Sequence, residues 1–370
     1  MKPGKQSLFY GQAGFSLVEI MVGLVIGLLA TLVILQVFSV FEGQKRTTTG
    51  TSDAQTNGSI ALYTIGRELQ SAGYRLQPVA DSPIECTALV IDPATGVGGL
   101  FPVTIADGGT AAGASDRITL RYGTTNAGGI PTPLTGDPAL SAVPVDNNQG
   151  CEVDDIAIII NGVDSCNVTK VTGLTGTTSI TLQNTAGAVS DADIACMGKW
   201  NEVTYRVNNS ALERCNSTDA IALGSNCNPL TPNNTNFIPN VVDIVNIQAQ
   251  YGISAAANSN QVTQWVDATG VTWAAPTVAD RNRIKAVRVA VVARNGLLEK
   301  EVVTNTCTTA KGTVNNGPCA WDDTDFDAAP KIDLSRNADG TTNPDWQRYR
   351  YRVYENIIPL RNMIWSQSTL

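Results

Sequence analysis

The residue types able to do chemistry are unevenly supplied in this 370-residue chain, which has eight cysteines and no histidine. The cysteines are Cys86, Cys151, Cys166, Cys196, Cys215, Cys227, Cys307 and Cys319, and no two stand as C-x-x-C. A mixed zinc site then lacks its usual donors, so the even count reads as disulfides formed in an oxidising compartment. Connectivity is open at this level. Cys215 with Cys227, and Cys307 with Cys319, are the local candidates, because each pair would close a short polar loop. The missing histidine also removes the common base for a serine or cysteine nucleophile. No spacing marks a Ser-Lys or carboxylate-pair site. The expectation is therefore no catalytic residue, no metal, no cofactor and no enzyme.

Two stretches have the oxygen-rich look of calcium loops: DDTDFDAAP, with Asp323, Asp325 and Asp327 alternating, and SRNADGTTNPD, with Asn337 and Asp339 before Gly340. The first lacks the turn glycine and neither places a Glu at the twelfth position, so both are expected to be solvated surface loops. In RYRYRVYENIIPLRN, Arg348, Arg350 and Arg352 alternate with Tyr349, Tyr351 and Val353. Period two in a strand would send the arginines to one face and the aromatics to the other. A formal charge of −8 opposes binding of a polyanion. No nucleic-acid partner is expected, and an arginine face would suit an acidic protein neighbour.

The remaining chemical group is a single carboxylate. Residues 14–38, GFSLVEIMVGLVIGLLATLVILQVF, hold one charge, Glu19. An acid in hydrocarbon is costly unless it is paired or reaches the interface. The element that positions it is a helix: Phe15 to Phe41, at about 1.5 Å per residue, would span roughly 40 Å and cross a bilayer core. Glu19 falls in its first turn, where unsatisfied N–H groups and the helix dipole favour negative charge. Residues 1–14 are short, carry Lys2 and Lys5, and precede the apolar run, the reverse of an ordinary secretory signal. The lysines put this leader in the cytoplasm. Gly23 and Gly27 form G-x-x-x-G, and Thr31 continues the same face, which permits close helix approach. No proline interrupts residues 15–77, so no proline kink is expected. EGQKRTTTGTSDAQTNGS is polar and β-branched, a poor helix former expected to bend or fray. Leu62, Ile65, Leu69 and Ala72 then recur at helical spacing, with Arg67 and Glu68 on the opposite side and Gly73 as a stop.

The rest reads as strands between Gly, Asn, Asp and Pro clusters: DRITLRYG, DIAIIIN, SCNVTKVT, TSITLQN, NEVTYRV, VVDIVNIQAQYGI, IKAVRVAVVAR and RYRYRVYENIIPL. There is no repeat and no α-β alternation, so antiparallel sheets are expected.

GFSLVEIMVGLVIGLLATLVIL resembles the class III signal of type IV pilins and type II secretion pseudopilins. The resemblance implies a prepilin peptidase that cuts between Gly14 and Phe15 and N-methylates Phe15. It also implies an assembly role for Glu19, whose carboxylate would meet the free amine of a neighbouring subunit's Phe15. RELQSAGY, DRITLRYG, VTYRVNNSALERC, DIVNIQAQYGI, IKAVRVAVVARNG and RYRVYENIIPLRN are similar, in that order and over most of the chain, to the PilW family of minor pilins. That implies an α+β fold, a long N-terminal pilin helix with a transmembrane first half and a β-rich antiparallel head. The expected divisions are a cleaved leader (1–14), a transmembrane and assembly helix (15–41), its continuation packed on the head (42–75), and a periplasmic head with long insertions (76–370). The implied function is priming of type IV pilus assembly, at or near the pilus tip. The implied partners are other minor pilins, the major pilin, the prepilin peptidase, the inner-membrane assembly platform and the lipid bilayer. The implied location is the inner membrane and then the pilus. Two alternatives stand beside this: a GspJ-like secretion pseudopilin, which would not be expected to carry insertions such as 93–115, 123–150 and 305–345, and a tip adhesin or ligand-binding pilin.

Overall fold

The computed structural model describes residues 14–76, 86, 88–92, 98–125, 129–139, 142–161, 165–185, 190–217, 227, 235–321 and 329–363. The chain divides into two compact units, residues 1–51 and 52–370.

From Leu17 onward the first unit is helical. Helix α1 (Leu17–Ser71) begins in it and is continuous over 55 residues. The fraying expected over residues 42–59 does not occur. The hydroxyls of Thr47, Thr48 and Thr51 bond back to the carbonyls of Gly43, Gln44 and Thr47 at 3.1, 2.9 and 2.8 Å, so they stop competing for the backbone. Extending an existing helix also avoids the cost of a new nucleus. The helix is long and apolar enough to cross a membrane, and its large apolar side chains from Leu17 to Phe41 are exposed.

In the second unit α1 contributes Ala61, Ile65 and Leu69, and the turn just after it Ala72, all fully buried, to the largest apolar cluster. Leu62 is only half-buried, and Ala61 takes the inward place. After α1 come β1 (Ala88–Ile91), β2 (Val103–Ala106), β3 (Arg117–Tyr122), β4 (Thr132–Pro133), β5 (Val143–Pro144), β6 (Ile156–Asn161), β7 (Ser165–Thr175), β8 (Ser179–Leu182) and β9 (Asp193–Gly198). They are followed by β10 (Asn201–Asn208), β11 (Ala211–Asn216), β12 (Ile238–Val242), β13 (Ile244–Ser254) and β14 (Val262–Val266). Two single-turn helices, α2 (Gly270–Trp273) and α3 (Val278–Arg281), lead to β15 (Ile284–Arg294), β16 (Cys307–Thr308), β17 (Val314–Asn315) and β18 (Tyr351–Pro359).

Among the described residues these make a seven-stranded sheet (β4-β9-β6-β7-β8-β5, with β1 on β7), a five-stranded sheet (β12-β11-β10-β3-β2), a four-stranded sheet (β14-β13-β15-β18) and the ribbon β16-β17. Pairing is antiparallel apart from β1 with β7, which is parallel. The stretch expected as one strand over residues 241–253 is two. Asp243 adopts φ +59°, and this bend sends β12 into the five-stranded sheet and β13 into the four-stranded one. The β10–β11 hairpin turns through Asn209 and Ser210, both at positive φ (46° and 56°), as a two-residue primed turn requires.

Period-two alternation places the cores. Val287, Val289, Val291 and Ala293 of β15 join Ile65 and Leu69 in the main cluster, whereas Ala290 and Val292 face Ala320, Ile332 and Leu334 of the long 299–349 excursion. Strand β6 is likewise buried on both faces, with Ile156, Ile158 and Ile160 in one cluster and Ala157 and Ile159 in another. Gly58 is required by a close approach: a Cβ there would collide with the Tyr354 ring of β18. Four disulfides, Cys86–Cys166, Cys151–Cys196, Cys215–Cys227 and Cys307–Cys319, account for every cysteine. The first two join segments 80 and 45 residues apart, and the other two close 12-residue loops.

Candidate functional site

The residues singled out for assembly lie at the start of α1. Gly14 and Phe15 precede the helix, and Phe15 is 83% exposed. The Ser16 backbone N–H donates to Glu19 Oε2 at 3.2 Å, and the Ser16 carbonyl accepts from the Ile20 N–H at 3.2 Å. Ser16 and Glu19 thus form one half of a capping box, with the carboxylate accepting from the Ser16 N–H at the head of the helix. This role was legible in the S-x-x-E spacing. Among the described residues the partner of Glu19 is this neutral dipole.

Further along, a Cβ built on Gly23 or Gly27 would meet nothing within 4 Å. The Thr31 hydroxyl donates to the Leu28 carbonyl at 2.8 Å. The stripe is therefore small and open, and its one hydroxyl is already satisfied, so a second helix could approach without leaving a polar group unpaired.

In the second unit, charge is spent on holding sheets together. Glu68 does not face solvent with Arg67, as its spacing suggested. Its carboxylate pairs with Arg214 of β11 at 3.1 Å and accepts from the Tyr122 hydroxyl at 3.3 Å. Burial, reinforced by the Glu68 charge, pushes the Tyr122 phenol up to about 12. Arg214 is desolvated, yet Glu68 holds it above its ordinary value. Nothing in the local sequence separates Glu68 from its exposed neighbour. The partner lies 146 residues away. Arg121–Glu202 (3.2 Å) and Arg206–Glu213 (2.8 Å) are buried pairs within the five-stranded sheet, and Arg206 stacks on Phe237 at 3.8 Å.

The arginines near the carboxyl end do not form a row. Arg348 ends a 3-10 turn (Trp346–Arg348) and donates to the Glu299 carbonyl at 2.8 Å and to Asp345 at 3.0 Å. Arg350 pairs with Glu299 at 3.0 Å, and Arg352 is exposed on β18. The strand starts only at Tyr351, so the expected period-two face does not extend back to the first two arginines. Of the calcium-like stretches, Asp323, Asp325 and Asp327 lie outside the described residues. Asp339 closes its own turn, accepting from the Thr341 N–H at 2.8 Å and hydroxyl at 2.6 Å around Gly340. Among the described residues no group of three His, Cys, Asp or Glu is placed to hold a metal.

Residues 205–362, from β10 to the turn beyond β18, match the family described as type IV pilus-assembly protein W, PilW. Residues 10–35, containing Gly14, Phe15, Glu19, Gly23, Gly27 and Thr31, match the prokaryotic N-terminal methylation motif. A solved type IV-like pilin from Thermus thermophilus is similar at 10% identity and a TM-score of 0.33, over 84% of this chain and 96% of that one. No curated protein matches. An apolar helix that opens on one carboxylate inside a methylation motif is thus followed by a disulfide-bonded antiparallel head, part of which matches the type IV pilus-assembly protein W family.

Proposed function

We propose that the chain works by position, as a minor pilin that helps prime type IV pilus assembly and sits at or near the pilus tip. A prepilin peptidase cuts between Gly14 and Phe15 and N-methylates the new terminus. The helix from Phe15 to Phe41 anchors the protein in the inner membrane, with residues 76–370 in the periplasm, until the assembly platform moves it into the pilus. Gly23, Gly27 and Thr31 form the face along which it packs with other minor pilins and the major pilin. The observation that carries this reading is Glu19, an acid at the head of an apolar helix that, among the described residues, meets only the neutral Ser16 N–H. The Phe15 amine of an adjacent subunit supplies the missing charge. Retention of Glu19 also implies a subunit above this one, so the chain is not topmost. The head contributes a docking surface and no catalysis.

A deletion strain scored for surface pili by microscopy tests the reading. Loss of pili supports priming, whereas normal pili with defective protein export would mark a secretion pseudopilin instead.

A further inference from the structure

Strand β18 ends the four-stranded sheet and, among the described residues, pairs with β15 on one side only. The two ends of that ladder fix which backbone groups face which way. The Leu360 N–H donates to the Lys285 carbonyl at 2.9 Å, and the Asn295 N–H to the Arg350 carbonyl at 2.8 Å. Even-numbered residues of β18 therefore turn their N–H and C=O toward β15, and odd-numbered ones turn theirs outward. Just before the strand this outward edge is covered, since the Thr304 hydroxyl donates to the Tyr349 carbonyl at 2.6 Å. From Val353 to Ile357 nothing among the described residues covers it, so the N–H and C=O groups of Val353, Glu355 and Ile357 stand open. Pro359, the next odd position, has no N–H to offer and closes the row. A cavity of about 380 Å³ adjoins the open stretch and is lined on β18 by Glu355, Asn356 and Ile357. Consecutive strand residues present opposite faces, so an opening that touches all three reaches the edge of the strand.

A row of unpaired backbone groups is a template for one more strand. The side chains narrow which strand fits. Glu355 and Ile357 are exposed on one face of β18, where the Trp321 backbone N–H orients the Glu355 carboxylate at 2.7 Å, and Arg352 is exposed on the other. Directly opposite them an added strand would best carry a cation, an apolar side chain and an anion respectively. A second copy of β18 does not meet this requirement. Only its odd residues have outward groups, so two antiparallel copies set odd against odd and even against even, and Arg352 never stands opposite Glu355. We propose that the β18 edge accepts an extended segment of a different protein, antiparallel like the rest of its sheet, with a basic residue opposite Glu355, an apolar one opposite Ile357 and an acidic one opposite Arg352. The surface lies on the head and is independent of the assembly role of Glu19.

The test uses the full chain in detergent and two synthetic peptides, blocked at both ends. The first, Thr-Leu-Thr-Lys-Thr-Val-Glu-Thr, places Leu, Lys and Glu opposite Ile357, Glu355 and Arg352 when it lies antiparallel; the second exchanges its Lys and Glu. Binding is followed by calorimetry, and hydrogen exchange is read residue by residue by mass spectrometry. In the free chain the amides of Val353, Glu355 and Ile357 should exchange faster than those of Tyr354, Asn356 and Ile358. The first peptide should bind with Kd of about 100 µM or tighter and slow the three odd amides. The second should bind about tenfold more weakly, and Arg352→Glu combined with Glu355→Lys should reverse that preference. Ile357→Pro removes one outward N–H without touching the bonds to β15 and should weaken the first peptide about tenfold. All three substitutions fall on exposed side chains, and melting of each variant checks that the head still folds. No binding by the first peptide at about 1 mM overturns the proposal. So does binding that ignores the charge exchange or leaves the odd amides unprotected. Odd amides already slow in the free chain would overturn it too, as they would show the edge covered by the chain itself or by a second copy.

Discussion

Replacing Glu19 by Gln separates two roles that replacement by Ala merges. Among the described residues the carboxylate makes a single contact, the 3.2 Å bond from the Ser16 N–H. A glutamine completes the same capping box. Losing that contact altogether, as in Glu19→Ala, costs about 0.5–1 kcal/mol at an exposed helix end. Such a loss falls in the first compact unit and leaves the core of residues 52–370 untouched. If Glu19 also neutralises a neighbour's amine, Gln and Ala are equally damaging, because each leaves a buried cation unpaired at about 3–5 kcal/mol. That corresponds to a drop of roughly 10²- to 10⁴-fold in incorporation. The assay compares the two variants in sheared pili and in membranes by immunoblot, with melting of the head as a control. Both should insert in the membrane, melt normally and be nearly absent from pili. Wild-type incorporation of Glu19→Gln would show that capping suffices and would refute the electrostatic reasoning.

Three other outcomes follow from the second unit. Leu69 is fully buried between the helix and the sheets, so Leu69→Ala should lower stability by about 2–5 kcal/mol in thermal or denaturant unfolding; a loss under about 1 kcal/mol would contradict this packing. Gly58→Ala drives a methyl into the Tyr354 ring and should cost about 1–3 kcal/mol, and adding Tyr354→Ala should remove most of that penalty in a double-mutant cycle; additive losses would count against the contact. Asp116, buried while accepting from the Gly108 and Ala249 N–H groups and lying near Asp107 and Asp267, is pushed by desolvation from 3.8 to about 7. Between these values the folded state holds a proton that the unfolded state releases. This contribution is therefore complete below about pH 4 and lost as pH rises through 7. The melting temperature of the wild type should fall from pH 5 to pH 8 and that of Asp116→Asn should change less; parallel curves would remove Asp116 as the cause.

Local pattern was enough where neighbours in sequence are neighbours in space. The apolar run from Phe15 to Phe41, the lone Glu19, the inward stripe of Ile65, Leu69 and Ala72, and the alternation in β3, β6 and β15 all express one element's own period. The bond from the Ser16 N–H to the Glu19 carboxylate was equally readable, since they stand at i and i+3. Long-range pairing was not. Glu68 looks as polar as Arg67, and only the approach of β11 gives it Arg214. The bend at Asp243 sits inside an unbroken strand pattern and is decided by which sheet each half joins. Polar β-branched residues after the apolar run predict fraying, yet the helix persists because hydroxyls bond to its own carbonyls. Likewise Trp321, Arg288 and Glu355 carry no common motif. The sequence by itself determined which faces are apolar and where one charge stands among them, because these depend on spacing along a single element. Only the tertiary structure decided which polar groups meet across the head, because that depends on how sheets far apart in the chain are brought into register.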